Sequence, residues 1–163
     1  MATFVHLTPQ KNARRIMRTG IKAQHIHDAL PVGVYAMPVV PNFYQSHQWL
    51  RELKRTGQRT LTAVYFRIPD TTQVLAGRYD QPHRAMSAAE ALALLLQDNT
   101  ELGFEIIIPR AIERRELRGI RTLRQGIGWR YYPSAHGQRP CGCFGCQPRG
   151  EIKSRRIRKA YEN

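Results

Sequence analysis

Acidic side chains are scarce in this 163-residue chain: 12 Asp and Glu stand against 26 Lys and Arg, a formal net charge of +14. Such an imbalance disfavours basic partners and raises the local concentration of polyanions, so a nucleic-acid partner is expected. Long apolar runs are missing as well. None approaches the roughly 18 residues of a membrane-spanning helix, and no membrane partner is expected. No signal-peptide pattern opens the chain, which passes directly into a strand-like segment, so a cytoplasmic location is expected. Cysteine is confined to Cys141, Cys143 and Cys146, a poor disulfide framework and a better metal or free-thiol cluster. There is no Gly-x-Gly-x-x-Gly, which sets aside a Rossmann dehydrogenase, and no internal repeat or low-complexity stretch.

What is present is globular. A hydrophobic fraction of 42% and an aromatic fraction of 9% suit one domain with its own core. Residues 3–8 alternate weakly as a first strand, with Thr8 as an N-cap and Pro9 at the first position of a short helix closed by Gly20. Pro31–Met37 reads as a strand. Pro41 opens a helix carrying Trp49, Leu50 and Leu53, and Gly57 follows it. Leu61–Ile68 is the clearest strand, and a turn region around Pro69, Asp70 and 77–80 follows it. Ser87-Ala88-Ala89-Glu90 is a capping box for a helix from Ala88 to about Gln97. Phe104–Ile108, Ile120–Leu123 and Gly128–Tyr132 complete the strands, and a basic helix or arm begins at Gly150. This order predicts an α+β fold with two apposed sheets.

Three side chains fit poorly in plain core strands. His6 lies in Phe4-Val5-His6-Leu7-Thr8-Pro9, Tyr35 follows Gly33-Val34, and Glu105 stands between Phe104 and three isoleucines. A polar or ionisable group on a buried strand is costly unless it is satisfied or used. Each has a plainer explanation: His6 as a satisfied structural residue, Tyr35 as an ordinary sheet residue, Glu105 on an exposed face opposite Phe104 and Ile106.

In that order, with the first helix ending at Gly20-Ile21, the three motifs resemble the His-Tyr-Glu branch of the ADP-ribosyltransferases. The departure is Leu7, where many relatives have Gly. The Arg-Ser-Glu arrangement of the other branch is absent. The resemblance implies a split β-sandwich with short flanking helices, residues 1–132 forming the catalytic part and 133–163 a Cys/His loop and basic tail of the same domain. It implies NAD as substrate and transfer of ADP-ribose to a nucleic acid, as in bacterial mono-ADP-ribosyltransferases that serve as toxins or defence effectors, and leaves open a neutralising partner protein. Glu105 would stabilise positive charge forming at the ribose carbon and orient or deprotonate the acceptor. Tyr35 would stack on nicotinamide, with Gly33 beside it, and His6 would hydrogen-bond the adenosine-side ribose with help from Thr8. Arg14 or Arg15 on the first helix would meet the pyrophosphate, and the sequence does not choose between them. An NAD-dependent RNA 2′-phosphotransferase is the alternative enzyme, and a non-catalytic nucleic-acid-binding module the alternative outside enzymes.

Two further segments stand out. Arg78, Tyr79 and His83 lie in a turn-rich stretch, as acceptor-side residues or as a solvated turn. His136, Cys141, Cys143 and Cys146 offer four ligands that suit a structural zinc, the alternatives being reduced thiols or an intermolecular disulfide. Beyond them, Arg155, Arg156 and Arg158 belong to a basic run suited to phosphate contacts or to a solvated helix.

Overall fold

Polar-apolar alternation along Ala2–Pro9 makes the first strand, β1, two-sided: Ala2 and Phe4 enter the main core, while Val5 and Leu7 pack in a smaller cluster behind it. The computed structural model describes residues 1–25, 31–39, 43–55, 57, 60–78, 81–97 and 104–123. The expected 128–132 strand, the His136, Cys141, Cys143 and Cys146 set, and Arg155, Arg156 and Arg158 lie outside the described residues.

Thr8 is not a helix cap. β1 carries on through Thr8 and Pro9, which pair with Thr62 and Leu61. A proline is tolerated there because the strand ends with it. A 3-10 turn, Gln10–Asn12, then leads into α1, Ala13–Thr19, whose N-terminus has no side-chain cap. Gly20 closes α1 as its sequence position predicts, with φ at +84° and its N–H donating to Ile16 O at 2.8 Å. Ile21 and Ile112 then exchange backbone hydrogen bonds of 2.8 and 2.9 Å, stapling the end of α1 to the chain after the sixth strand.

The remaining elements are β2 (Val34–Pro38), α2 (Phe43–Arg55), β3 (Leu61–Ile68), β4 (Gln73–Arg78), β5 (Arg84–Ser87), α3 (Ala88–Gln97), β6 (Phe104–Ile108) and β7 (Leu117–Thr122). The α3 capping box forms as written: Ser87 N–H donates to Glu90 Oε2 at 2.8 Å, and Glu90 N–H to Ser87 Oγ at 3.2 Å. The turn expected at Pro69 and Asp70 forms, Thr72 N–H donating to Pro69 O at 3.0 Å. Of the 77–80 stretch, Gly77 and Arg78 instead end β4 in the β4–β5 hairpin, whose turn Gln81 N–H closes on Arg78 O at 3.0 Å. Val74 and Ala76 alternate into the core there, but Gln73 and Gly77 at the ends blur the pattern.

The seven strands follow the order β5-β4-β6-β2-β1-β3-β7, every neighbour antiparallel. Two apposed sheets were expected; one continuous order is found, and its halves join weakly. β1 and β2 pair at two positions, Phe4 with Pro38 and Val5 with Met37, whereas β1 and β3 pair along eight. The main core, with Phe4, Phe66, Ile106 and Ile108, lies under α1 and α3, which contribute Ile16, Ala88, Ala91 and Leu95. After β6, Arg110 grips Glu116 with two hydrogen bonds of 2.8 and 2.6 Å and fixes the connection to β7. Among the described residues, no helix is long and apolar enough to cross a membrane.

The close approach behind α1 is testable. A Cβ at Gly20 would lie 2.1 Å from Ile112 O, whereas one at Gly57, also at positive φ, meets nothing within 4 Å. In chemical denaturation, Gly57→Ala should cost about 1–2 kcal/mol from backbone strain alone. Gly20→Ala should cost at least about 3 kcal/mol, the same strain plus overpacking.

Candidate functional site

Past Val5 the strands β1 and β2 part, and the opening between them is the mouth of a cleft of about 1260 Å³. That exceeds the roughly 300–1,000 Å³ of ordinary small-molecule sites. His6, Tyr35 and Glu105 all line it, as do Thr8, Gly33 and Arg15.

The pleat explains the convergence. Tyr35 pairs with Ile107, so Glu105, two residues from Ile107 on β6, emerges on the same face as Tyr35. His6 comes from the far side of the parting, where its Nδ1 lies 2.7 Å from the Tyr35 carbonyl oxygen. A carbonyl only accepts, so Nδ1 carries the proton and Nε2 is left as an acceptor. Burial pushes the His6 imidazole below its ordinary value of 6.5, outweighing that hydrogen bond, and keeps the ring neutral at physiological pH.

Tyr35 keeps its hydroxyl buried without a hydrogen-bond partner among the described residues. Burial first, and the nearby Glu105 carboxylate second, push the phenol up, so it stays a donor. Such an unpaired buried hydroxyl suits a group brought by a ligand. Glu105 is itself buried and its pKa is raised, because desolvation outweighs the charge and hydrogen bond of His83. An exposed face for Glu105 is thereby excluded. His83 Nε2 stands 3.1 Å from Glu105 Oε1, with the two side chains 5% and 11% exposed. The solvated turn weighed for His83 is therefore corrected: it is buried beside the carboxylate.

The other expected residues divide. Thr8 is buried and its Oγ1 accepts from Asn12 Nδ2 at 3.3 Å, so a ligand would share that hydroxyl with the amide. Gly33 exchanges backbone bonds of 2.9 and 3.1 Å with Gln24, which leaves it no backbone donor for a ligand. Its part is steric, since a Cβ would meet Ile107 Cγ2 at 2.5 Å. Arg15 lines the cleft and Arg14 does not. Arg78 ends β4 opposite Phe104 and is not among the lining residues, and Tyr79 lies outside the described residues.

Sequence pattern missed two lining residues. Trp49 stands in the sequence only as a residue of the second helix, yet it borders the cleft and its Nε1–H donates to Phe104 O at 2.9 Å, one residue from Glu105. Lys22, just past the α1 cap, joins Arg15 as an exposed cation at the rim. Among the lining residues Glu105 is the only carboxylate, so the cleft favours an anionic ligand with one cationic region to set against Glu105.

The neutral His6 gives a pH signature. Its depressed pKa contributes stability above the ordinary value of 6.5 and loses it as pH falls, because the unfolded ring takes up a proton first. Between about pH 7 and about pH 5 the thermal midpoint of the wild type should therefore drop more steeply than that of His6→Gln. Parallel curves in a pH series of melting scans would remove His6 from that role.

Comparison of the chain with family models, with curated proteins and with solved structures finds no match, so the chemistry of the cleft rests on its geometry.

Proposed function

We propose that the chain is an NAD-dependent ADP-ribosyltransferase of the His-Tyr-Glu kind, its split sheet serving as the dinucleotide cleft and a nucleic acid as its acceptor. One observation carries this: His6, Tyr35 and Glu105, distant in sequence, line the same cleft where the two halves of the sheet part.

Each side chain then has a task its surroundings suit. Neutral His6, its Nδ1 proton held by the Tyr35 carbonyl, offers Nε2 to a ribose hydroxyl. Tyr35 offers a ring face for nicotinamide and an unpaired hydroxyl for its amide. Arg15 and Lys22 stand at the rim for the pyrophosphate. As the glycosidic bond lengthens, positive charge gathers on the ribose carbon, and the Glu105 carboxylate stabilises it from a site shielded from water. The same carboxylate takes the proton released when the acceptor attacks, while nicotinamide leaves neutral. The acceptor assignment rests on the +14 charge and on exposed arginines outside the cleft, such as Arg118 on β7.

Purified protein incubated with NAD and a mixture of DNA, RNA and protein should release nicotinamide and leave an ADP-ribose adduct, read by mass spectrometry, on the nucleic acid. Glu105→Gln should lower that turnover by at least about a hundredfold. The variant should fold well: a raised carboxyl pKa favours the fold below the ordinary value of 4.5 and disfavours it as pH rises, so an amide there is no burden near neutrality. Arg15→Ala should raise KM for NAD roughly tenfold with a smaller change in kcat. No nicotinamide release, with nucleic-acid binding retained, would make the chain a binding module.

A further inference from the structure

Glu105 has a companion that its strand does not supply. Register sets Gly77 of β4 opposite Glu105. A Cβ on Gly77 would come within 3.2 Å of His83 Cα and 3.4 Å of the Pro82 carbonyl oxygen. The missing side chain therefore lets the 81–83 segment fold back over β4. Gln81 N–H closes the turn on Arg78 O at 3.0 Å, and the ring of Pro82 restricts the backbone just before the histidine. His83 Nε2 is thereby delivered to Glu105 Oε1 at 3.1 Å, while Glu105 Oε2 has no hydrogen bond to any described residue.

We propose that His83 is the positioning residue of Glu105, holding Oε1 so that Oε2 alone faces the ligand and keeping the carboxyl ionised inside the cleft. What Glu105 acts on rests on the transferase reading; the contact itself does not. A carboxylate only accepts, so Nε2 carries a proton in this pair, as a neutral ring or as half of an ion pair. Two titratable side chains border the carboxylate, Tyr35 from β2 and His83 from the turn, whereas Arg78 of β4 pairs with Phe104 on the opposite face of the strand. His6 lines the same cleft from β1. Of the influences on the carboxyl, burial favours its neutral form and His83 favours its ionised form. Removing the imidazole leaves the first unopposed.

The test follows the carboxyl itself. With glutamate labelled at the side-chain carbonyl carbon and the Glu105 resonance assigned by its loss in Glu105→Gln, the titration midpoint should rise by about one unit or more in His83→Ala. In nicotinamide-release assays the acid limb of the pH–rate profile should move upward by a similar amount. KM for NAD should stay within about twofold, and kcat should fall by up to about tenfold at pH values below the shifted midpoint and recover at higher pH. His83→Gln keeps a donor without a titrating charge. It should retain more activity than the alanine variant while still shifting the midpoint, and it carries the test if His83→Ala does not fold.

A midpoint that does not move in either folded variant overturns the proposal. If the midpoint moves but no variant and no wild type releases nicotinamide, the contact stands and the transferase reading falls. If wild type is active and Glu105→Gln is not, yet the His83 variants keep both midpoint and acid limb, the transferase reading stands and this proposal falls.

Discussion

Two residue pairs hold the halves of this sheet together. Phe4 with Pro38 and Val5 with Met37 form the seam between β1 and β2, after which the strands part. Were the ladder to run the length of β1, as it does with β3, His6 would be sealed against β2 and no cleft would open. The short seam is stable because each half is secured elsewhere: β1, β3 and β7 by long pairing, and β2, β6 and β4 by the all-buried β6 at their centre. The bond from His6 to the Tyr35 carbonyl spans the gap just where the backbone ladder stops. It joins the halves through a side chain and fixes the imidazole in one tautomer.

The cleft shows how an apolar strand can carry a carboxylate. Phe104, Ile106 and Ile108 face the main core, and the other face of β6 carries Ile107 and Glu105 toward Tyr35. That face is open to a ligand yet shielded from bulk water, which favours charge stabilisation during a reaction and penalises an idle charge. Among the described residues one imidazole, that of His83, compensates the buried Glu105, so the carboxyl remains easier to protonate than a surface glutamate.

Much of the secondary structure was legible because its causes are local. β3 reads from β-branched and aromatic residues, α3 from its capping box, and the end of α1 from Gly20. β4 and β5 were not, since a short hairpin with Gln73 and Gly77 at its ends carries too few core residues for alternation to show. Thr8 reads as a cap from its neighbours and becomes a strand residue through pairing with β3, a partner more than fifty positions away. The order His6, Tyr35, Glu105 was legible as a resemblance, and its convergence is a matter of register. His83 could not be found by pattern: its contact with Glu105 requires the register of β4 on β6, the empty space above Gly77 and the turn at Pro82 together. The preference for Arg15 over Arg14 depends likewise on the rotation given to α1 by the 3-10 turn before it.

The indole of Trp49 borders the cleft and is tied to the backbone of Phe104, next to Glu105. With only two tryptophans in the chain, this makes ultraviolet emission a built-in optical gauge of occupancy. An aromatic guest settling against the indole would dim or recolour its glow without any attached dye. Because the ring is anchored to the strand bearing the carboxylate, that signal would register arrival in the cleft beside Glu105.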